Sequence, residues 1–131
     1  MKKRMKLLGE VLAWPDAPTG GQLILGRVEE IAREPELSGT IDLVTARAFG
    51  SPAVTAECAA RFLKIGGMLL VSEPPDDSQP SRWNTEILTT LGLETRGRVR
   101  HGAAFQVLVK THPTPKQYPR DTGVPGKSPL F

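Results

Sequence analysis

Strand patterns and helix patterns alternate along most of this chain, and this alternation restricts the fold more than any other feature. Short runs of apolar residues, bounded by glycine, proline or charged residues, predict strands at 22–26, 41–46 and 68–73. Helix patterns lie before, between and after these strands. Two strands joined through a helix run parallel in one sheet, and the helices then cover its faces. The chain is therefore predicted to be an α/β protein.

Four helices are predicted, and each has a recognisable start or stop signal. They are residues 2–14, which end at Pro15; residues 28–34, which end at Pro35; a helix that starts at Ser51 and Pro52; and a helix that Ser81 caps and Gly92 ends. The first carries a wide apolar stripe that includes Leu8, Leu12 and Trp14, which predicts that it packs against the rest of the fold. In the last, Trp83 and Leu88 lie on the predicted inner face.

The last third of the chain departs from this alternation. Two strands at 94–100 and 103–111 follow each other across His101 and Gly102, and they predict a β-hairpin. Residues 112–131 contain five prolines and no periodicity, so they are predicted to form a tail, ordered or disordered. We therefore divide the chain into an α/β domain, residues 1–111, and a basic tail, residues 112–131.

The composition is that of one domain without a membrane span. A chain of 131 residues, 39% of them hydrophobic, is long enough to bury one core. Cys58 is the single cysteine, so an internal disulfide is excluded. No apolar run approaches the roughly 18 residues that cross a bilayer, and the basic start leads into a helical pattern rather than a secretory leader. We expect a cytoplasmic chain.

The net charge of +3 conceals an uneven distribution. Residues 1–27 carry five basic and two acidic side chains, residues 28–94 carry five and eleven, and residues 95–131 carry seven and one. Both ends are therefore basic, and the middle is acidic. The pattern fits either an ordinary solvated surface or contact with a polyanion such as nucleic acid, and charge alone leaves the two open.

Arginines directly follow two of the predicted strands. Arg27 comes after 22–26, and Arg47 comes after 41–46. Ligands in open α/β sheets bind outside the carboxyl ends of the strands, so either arginine is positioned to contact a polar or anionic ligand. A surface ion pair with a neighbouring carboxylate is the alternative, and position alone does not decide between them.

The remaining reactive side chains predict no metal site. His101 and His112 lie eleven residues apart, without the cysteine or carboxylate spacing that a metal site requires. Cys58 falls on the apolar face of its predicted helix, where a packed thiol is expected rather than a nucleophile. We therefore predict no metal and name no catalytic residue.

Four segments carry a resemblance to a known family. They are GRVEEIA at 26–32, IDLVTARAF at 41–49, FLKIGGMLLV at 62–71 and TPKQYPRDTGVPGKSPL at 114–130. Together they resemble the C-terminal half of the glucose-inhibited division protein B family, the methyltransferases that act on guanine N7 of 16S ribosomal RNA. The resemblance covers essentially the whole chain, and the tail is its most specific part.

The resemblance implies a Rossmann-like class I methyltransferase fold and S-adenosylmethionine as the cofactor. It places Val28 and Glu29 against the adenine end of the cofactor, and Arg47 in the cleft shared by cofactor and substrate. It implies no general base, because guanine N7 has a lone pair and its methylation depends on positioning. With 16S ribosomal RNA of the small ribosomal subunit as the partner, three basic tail residues are predicted to contact RNA phosphates: Lys116, Arg120 and Lys127.

The chain also departs from the family pattern. A methyltransferase of this fold needs a glycine-rich turn after its first strand and an acidic residue after its second, and no glycine-rich segment here lies between a strand and a helix. The fold is therefore predicted to be incomplete, with the first two strands absent, and the helix at 2–14 resembles the one that follows the second strand. We expect this chain by itself to bind S-adenosylmethionine weakly or not at all.

The absent pair of strands would lie between those at 22–26 and 41–46. The sheet then either closes by pairing these two strands or has an open edge at 41–46. An open apolar edge is a template for another strand, which predicts self-association. Two alternatives to the enzyme follow: a non-catalytic RNA-binding remnant of the family, and an interaction module whose open edge recruits a second polypeptide.

Overall fold

A computed structural model describes residues 2–17, 19–75 and 81–131 of the chain. In chain order, the elements of these residues are α1 (Lys2–Leu12), α2 (Val28–Ile31), β1 (Ile41–Ala46), α3 (Pro52–Ala60), β2 (Leu63–Glu73), α4 (Thr85–Thr90), β3 (Leu93–His101), β4 (Ala103–Lys110) and α5 (Val124–Lys127). Helices and strands alternate from α2 to β3, which confirms the predicted α/β class.

The strands form one mixed sheet in the order β1-β2-β4-β3. β1 and β2 are parallel and are joined through α3, whereas β4 is antiparallel to both of its neighbours. The predicted hairpin is confirmed, because His101 pairs with Ala103 across Gly102, whose φ of 76° suits a residue without a side chain. Ala46 lies beside Val71, so β1 and β2 end at the same edge of the sheet.

The prediction of a strand at 22–26 is wrong. These residues form no strand, and within the described part of the chain β1 pairs with β2 alone. The segment instead runs beside α1, since a Cβ atom added to Gly9 would lie 3.4 Å from a methyl group of Leu23. Apolar residues form a strand when a neighbouring strand takes up their backbone hydrogen bonds, and here β1 does not. The sheet therefore has an open edge at β1.

α1 forms where a helix was predicted, but the prediction that it packs against the fold is wrong. None of its residues is buried, and Leu7 and Leu8 are 62% and 44% exposed. Trp14, just beyond the helix, is also 62% exposed. An apolar stripe becomes buried when another apolar surface faces it, and no described element covers this one.

α3 lies between the sheet and the tail, because it packs against both β2 and α5. Ser51 caps it as predicted, with Oγ accepting a hydrogen bond from the Val54 N–H at 3.5 Å. Pro52 occupies the first turn, where a missing N–H costs nothing. Seven of the nine helix residues are buried. α3 is therefore the element that connects the sheet to the tail.

Three predicted helix boundaries are wrong. α1 ends at Leu12 rather than at residue 14. α2 ends at Ile31 rather than at residue 34, and α4 begins after Asn84, whose Oδ1 caps it, rather than after Ser81. Ser81 Oγ instead accepts a hydrogen bond from the Trp83 N–H at 3.2 Å. Trp83 is 4% exposed, and its Nε1 donates to Glu73 Oε1 at 2.7 Å. This tertiary contact holds Trp83 outside the helix, so the later cap residue is used.

The core lies where α3 and α4 pack on the sheet. Its largest fully buried apolar side chains are leucines: Leu63, Leu69, Leu88, Leu91, Leu93 and Leu108. Burial of each such side chain stabilises the fold by about 1.5–3 kcal/mol relative to exposure. Four of these leucines lie in strands, Leu88 lies in α4, and Leu91 directly follows α4, so the core joins the sheet to this helix.

The tail packs against the domain, so the ordered alternative holds. Arg61 Nε donates to the Tyr118 carbonyl oxygen at 2.8 Å, and Arg33 Nη1 donates to the Lys116 carbonyl oxygen at 3.1 Å. Three apolar tail residues pack against the core: Tyr118, Leu130 and Phe131. The tail thus has polar and apolar attachments without a long helix or strand. The domain boundary at residue 111 stays a prediction.

Candidate functional site

A cavity of about 820 Å³ lies at the carboxyl end of β1, where ligands bind in open α/β sheets. Four parts of the chain form its walls: Arg4 of α1, residues 26–29 at the start of α2, the loop at 47–51 after β1, and Gly126 and Pro129 of the tail. These parts are distant in sequence. They meet because β1 ends here and because the tail folds back along α3.

Three arginines line this cavity, and the side chains of two of them have no partner among the residues that the structure describes. Arg27 Nη2 lies 3.1 Å from Glu29 Oε1, so this pair is largely neutral. The guanidinium groups of Arg4 and Arg47 form no hydrogen bond or ion pair with any residue that the structure describes. The alternative of a surface ion pair for Arg47 therefore does not hold within the described chain. The cavity has two unpaired positive charges, which favours an anionic ligand.

The loop after β1 has an unusual backbone at the cavity wall. Ala48 has φ of 53°, the left-handed region that residues with a side chain seldom adopt. The loop then enters α3 through Gly50 and Ser51, and both line the cavity together with Val54 of the first turn. Backbone strain of this kind is retained where the surrounding structure requires it, and such places cluster at functional sites.

Glu29 is a buried carboxylate at the edge of the cavity, 7% exposed. Burial raises the pKa of this carboxyl, but hydrogen bonds from backbone N–H groups and from Arg27 outweigh burial, and the pKa is lowered from its ordinary value. One of these donors is the Gly123 N–H, 3.5 Å from Glu29 Oε1. Glu29 is therefore ionised at neutral pH, and it joins α2 to the tail.

A smaller apolar cavity of about 170 Å³ adjoins the first one and shares Val28 and Phe49 with it. Cys58 lies on its wall, 2% exposed, and burial together with the nearby charges of Glu29 and Glu57 raises the pKa of this thiol to about 12. A thiol with so high a pKa carries almost no thiolate at neutral pH. The structure thus places Cys58 in the apolar environment expected of a packing residue.

The three residues predicted to contact the cofactor come together. Val28, Glu29 and Arg47 all line the large cavity, although 18 residues separate Glu29 from Arg47 in the sequence. Their roles toward a cofactor stay a prediction. Arg4 lines the same cavity and was not singled out in the sequence, where its one signal is membership of the basic start.

The basic tail residues do not share one environment. The side chains of Lys116 and Lys127 are exposed, and their ammonium groups have no partner among the described residues. Arg120 is paired with Glu57, a fully buried residue of α3, with 2.8 Å between Arg120 Nη2 and Glu57 Oε1. RNA contact by these three residues stays a prediction. Glu57 was not singled out in the sequence, although it is the one charged residue of its apolar helix.

Within the described residues, no group of three or more histidine, cysteine, aspartate or glutamate side chains is placed to hold a metal ion. His101 is at the tip of the hairpin, and His112 lies at the start of the tail, where its Nδ1 is 3.0 Å from Thr111 Oγ1. No helix of the described chain is long and apolar enough to cross a membrane.

Sequence comparison links this chain to one class of proteins, although no family model matches it. The ribosomal RNA small subunit methyltransferase G of Leuconostoc mesenteroides subsp. mesenteroides is 34% identical over 140 residues, which cover 99% of this chain and 56% of that protein. Those of Desulfitobacterium hafniense and Symbiobacterium thermophilum are each 34% identical, over 83% and 99% of this chain. This chain is a relative of the ribosomal RNA small subunit methyltransferase G proteins. The resemblance predicted from the sequence is confirmed.

The match to the ribosomal RNA small subunit methyltransferase G proteins is partial in one direction. The chain spans about half the length of the curated relatives it matches. Almost all of this chain is nevertheless covered, so the cavity residues belong to the matched region. What the complete relatives do is therefore a guide to function rather than a description of this chain.

A solved structure shows the fold. The crystal structure of the antibiotic-resistance methyltransferase Kmr superimposes with a TM-score of 0.59 and 14% sequence identity, covering 84% of this chain and 71% of that one. The α/β sheet described above is therefore a partial Rossmann-like methyltransferase fold, as predicted.

Proposed function

We propose that this chain is part of an S-adenosylmethionine-dependent methyltransferase that acts on guanine N7 of 16S ribosomal RNA. One observation carries the proposal: in a relative of ribosomal RNA methyltransferases, a cavity at the carboxyl end of a parallel strand is lined by two arginines whose side chains have no partner within the described chain. That position is where α/β folds bind ligands, and the charge suits an RNA phosphate. The cytoplasm and the small ribosomal subunit are the corresponding location and partner.

The chain's residues fit one end of the cofactor. Val28 borders both the large cavity and the smaller apolar one, which together offer an apolar wall to an adenine ring. Glu29 already accepts hydrogen bonds from Arg27 and from the Gly123 N–H. It therefore contributes negative charge and part of the cavity wall, rather than a free hydrogen-bond acceptor for the cofactor. The chain has no glycine-rich turn between a strand and a helix to approach the methionine end. The cofactor supplies the methyl group, and its binding by this chain alone is expected to be weak.

The arginines and Phe49 fit the RNA side of the site. Phe49 lines the cavity beside Arg47 and is 47% exposed, so its ring is available to stack on a base. Arg4 and Arg47 supply charge for the phosphates on either side. Guanine N7 has a lone pair, and its methylation requires that the base be positioned rather than deprotonated. The described residues therefore act by orienting the RNA.

The test is RNA binding by substituted chains. Arg47→Ala is expected to weaken binding of a small-subunit RNA fragment and to lower the salt slope of log K by about one charge. Arg96→Ala is the matched control, because Arg96 is similarly exposed but lies on β3, away from the cavity, and pairs with Glu94. Fluorescence anisotropy at several salt concentrations measures both quantities. Equal losses in the two variants would refute the assignment of the cavity.

A non-catalytic RNA-binding remnant is the second candidate, because the arginines and Phe49 of the cavity can bind RNA without a cofactor. The two candidates agree on RNA binding and differ on methyl transfer. Transfer of a labelled methyl group to small-subunit RNA separates them.

A further inference from the structure

A fully buried carboxylate lies behind the cavity wall. Glu57 is the one charged residue of α3, and its solvent exposure is 0%. Burial of an ionised carboxylate is costly unless hydrogen bonds and an opposite charge compensate for it. The partner of Glu57 therefore has to be found within the fold.

Arg120 of the tail is that partner, and it makes more contacts than a simple ion pair. Arg120 Nη2 donates to Glu57 Oε1 at 2.8 Å, Arg120 Nε donates to Glu57 Oε2 at 3.0 Å, and the Arg120 backbone N–H donates to Glu57 Oε2 at 2.7 Å. Arg120 Nη2 also donates to the Ser128 carbonyl oxygen at 2.7 Å. One guanidinium thus joins α3 to the residue that follows α5, in the planar geometry that arginine favours.

The part of the tail before Arg120 has its own attachments. Arg61 and Arg33 donate to carbonyl oxygens between residues 115 and 119, and Thr114 Oγ1 donates to the Leu91 carbonyl oxygen at 2.8 Å. Attachment of the tail to the domain therefore does not depend on Arg120 alone. What Arg120 adds is the placement of the segment that follows it, residues 121–129.

That segment is the tail wall of the large cavity. Gly126 and Pro129 line the cavity, and Pro129 directly follows Ser128, which Arg120 holds. The other side of the segment is attached to α2, because Thr122 Oγ1 donates to Glu30 Oε1 at 3.0 Å. The segment is thus fixed between α3 and α2, with its middle facing the cavity.

We propose that Glu57 and Arg120 are positioning residues, which set the tail wall against which the RNA ligand lies. The inference rests on the proposed function, since it takes RNA as the ligand of the cavity. It assigns Arg120 a role through Glu57 and Ser128 rather than through direct contact with phosphate.

The test replaces the pair as a unit. In Glu57→Met with Arg120→Leu, both charges are removed together, so that no buried charge is left without a partner and the helix keeps its packing volume. Arg33→Met is the matched control, because it removes another tail attachment, at Lys116 and Pro119, without touching residues 121–129. Arg120→Lys keeps the charge pair with Glu57 but lacks the planar group that also reaches Ser128.

Binding of a small-subunit RNA fragment is followed by the amide NMR signals of three glycines that line the cavity: Gly26, Gly50 and Gly126. In the unsubstituted chain all three signals are expected to shift. In the double variant we expect binding of the RNA to be about tenfold weaker, the effect of losing a hydrogen bond to a charged group. The Gly26 and Gly50 signals should still shift when RNA is added, whereas the Gly126 signal should not. The control is expected to bind within about twofold of the unsubstituted chain, and Arg120→Lys to lie between.

The outcomes separate the two proposals. If the three signals of the unsubstituted chain do not respond to RNA, the proposed ligand of the cavity is wrong. If they respond, and the double variant keeps both its affinity and the Gly126 shift, the positioning role alone is overturned. The positioning role is also overturned if Arg33→Met loses as much RNA affinity as the double variant. If the double variant does not fold, Arg120→Lys decides: affinity equal to that of the unsubstituted chain refutes the role, and weaker binding at an unchanged unfolding temperature supports it.

Discussion

At the scale of single residues, arginine compensates each of three carboxylates that are withdrawn from solvent. The Glu29, Glu57 and Glu73 side chains are 7%, 0% and 5% exposed. Glu29 accepts from Arg27, Glu57 from Arg120, and Glu73 from Arg98 and from the Trp83 indole. Within the described chain, every fully buried side-chain nitrogen or oxygen has a hydrogen-bond partner. The buried charges thus connect elements that the apolar core does not join.

Glu29→Gln tests the contribution of a buried carboxylate through its pH dependence. The pKa of Glu29 is lowered in the folded state, so its stabilising effect is fully present above the unfolded value of about 4.3 and is lost as the pH falls through the lower folded value. We expect the variant to be about 1 to 2 kcal/mol less stable at pH 7. The difference in the free energy of unfolding between the two proteins should disappear at acidic pH.

Urea unfolding at pH 7 and at about pH 3 measures this difference. Glu30→Gln is the matched control, since Glu30 is the exposed neighbour on the same short helix. A gap that stays constant or widens at low pH would show that ionisation of Glu29 does not stabilise the fold.

At the scale of elements, the two edges of the sheet differ in their protection. β3 carries a register shift between Thr95 and Gly97, and its arginines give that edge of the sheet positive charge. Bulges and charges of this kind discourage pairing with another chain. The edge at β1 also has a register shift, between Ile41 and Leu43, but its single charged side chain, Asp42, pairs with Lys64 of β2, so this edge carries less charge than β3. β1 is therefore the edge at which a further strand can add.

Two of the three basic tail residues predicted to contact RNA have side chains that are open to it. Lys116 and Lys127 are exposed, whereas Glu57 neutralises Arg120. Joint replacement of the two lysines by alanine is expected to lower the salt slope of RNA binding by about two charges and to weaken binding to all sequences alike. Lys64→Ala, on β2, is the control. An unchanged salt slope in the double variant, measured with small-subunit RNA fragments, would leave the tail a purely structural role.

At the scale of the whole molecule, apolar side chains are exposed both on the open edge strand and in the first 25 residues. Leu43 of β1 is 51% exposed, and the exposed leucines of α1 and of segment 23–25 belong to the same half of the chain. Exposed apolar surface next to an unpaired strand favours association with another chain. We therefore predict self-association at raised protein concentration.

Leu43→Lys is expected to reduce this self-association, because a charge on an edge strand opposes strand pairing. Val99→Lys is the matched control, since Val99 is 50% exposed but lies on β3, the protected edge. Sedimentation velocity over a range of concentrations measures the effect as a shift in sedimentation coefficient. A strictly monomeric unsubstituted chain, or equal behaviour of the two variants, would exclude pairing through β1.

Sequence patterns predicted those features that depend on neighbours in the chain. The helix start at Ser51 and Pro52 and the glycine between β3 and β4 are local signals, and both features form as predicted. The arginine at the exit of β1 was likewise predictable, because it depends on where one strand ends. The family resemblance added Val28 and Glu29 to the same site. Local propensity and the order of elements therefore sufficed for the class of fold and for the position of Arg27 and Arg47 at the cavity.

Tertiary structure decided the features that depend on distant partners. Residues 22–26 have the composition of a strand but no neighbouring strand to pair with, and the stripe of α1 has no apolar surface facing it. Nothing in the sequence pairs Glu57 with Arg120, 63 residues away, or brings Arg4 and Pro129 to the cavity. Hydrogen bonds between strands, burial of a helix face and compensation of a buried charge all need a second group, and its position is determined when the chain folds.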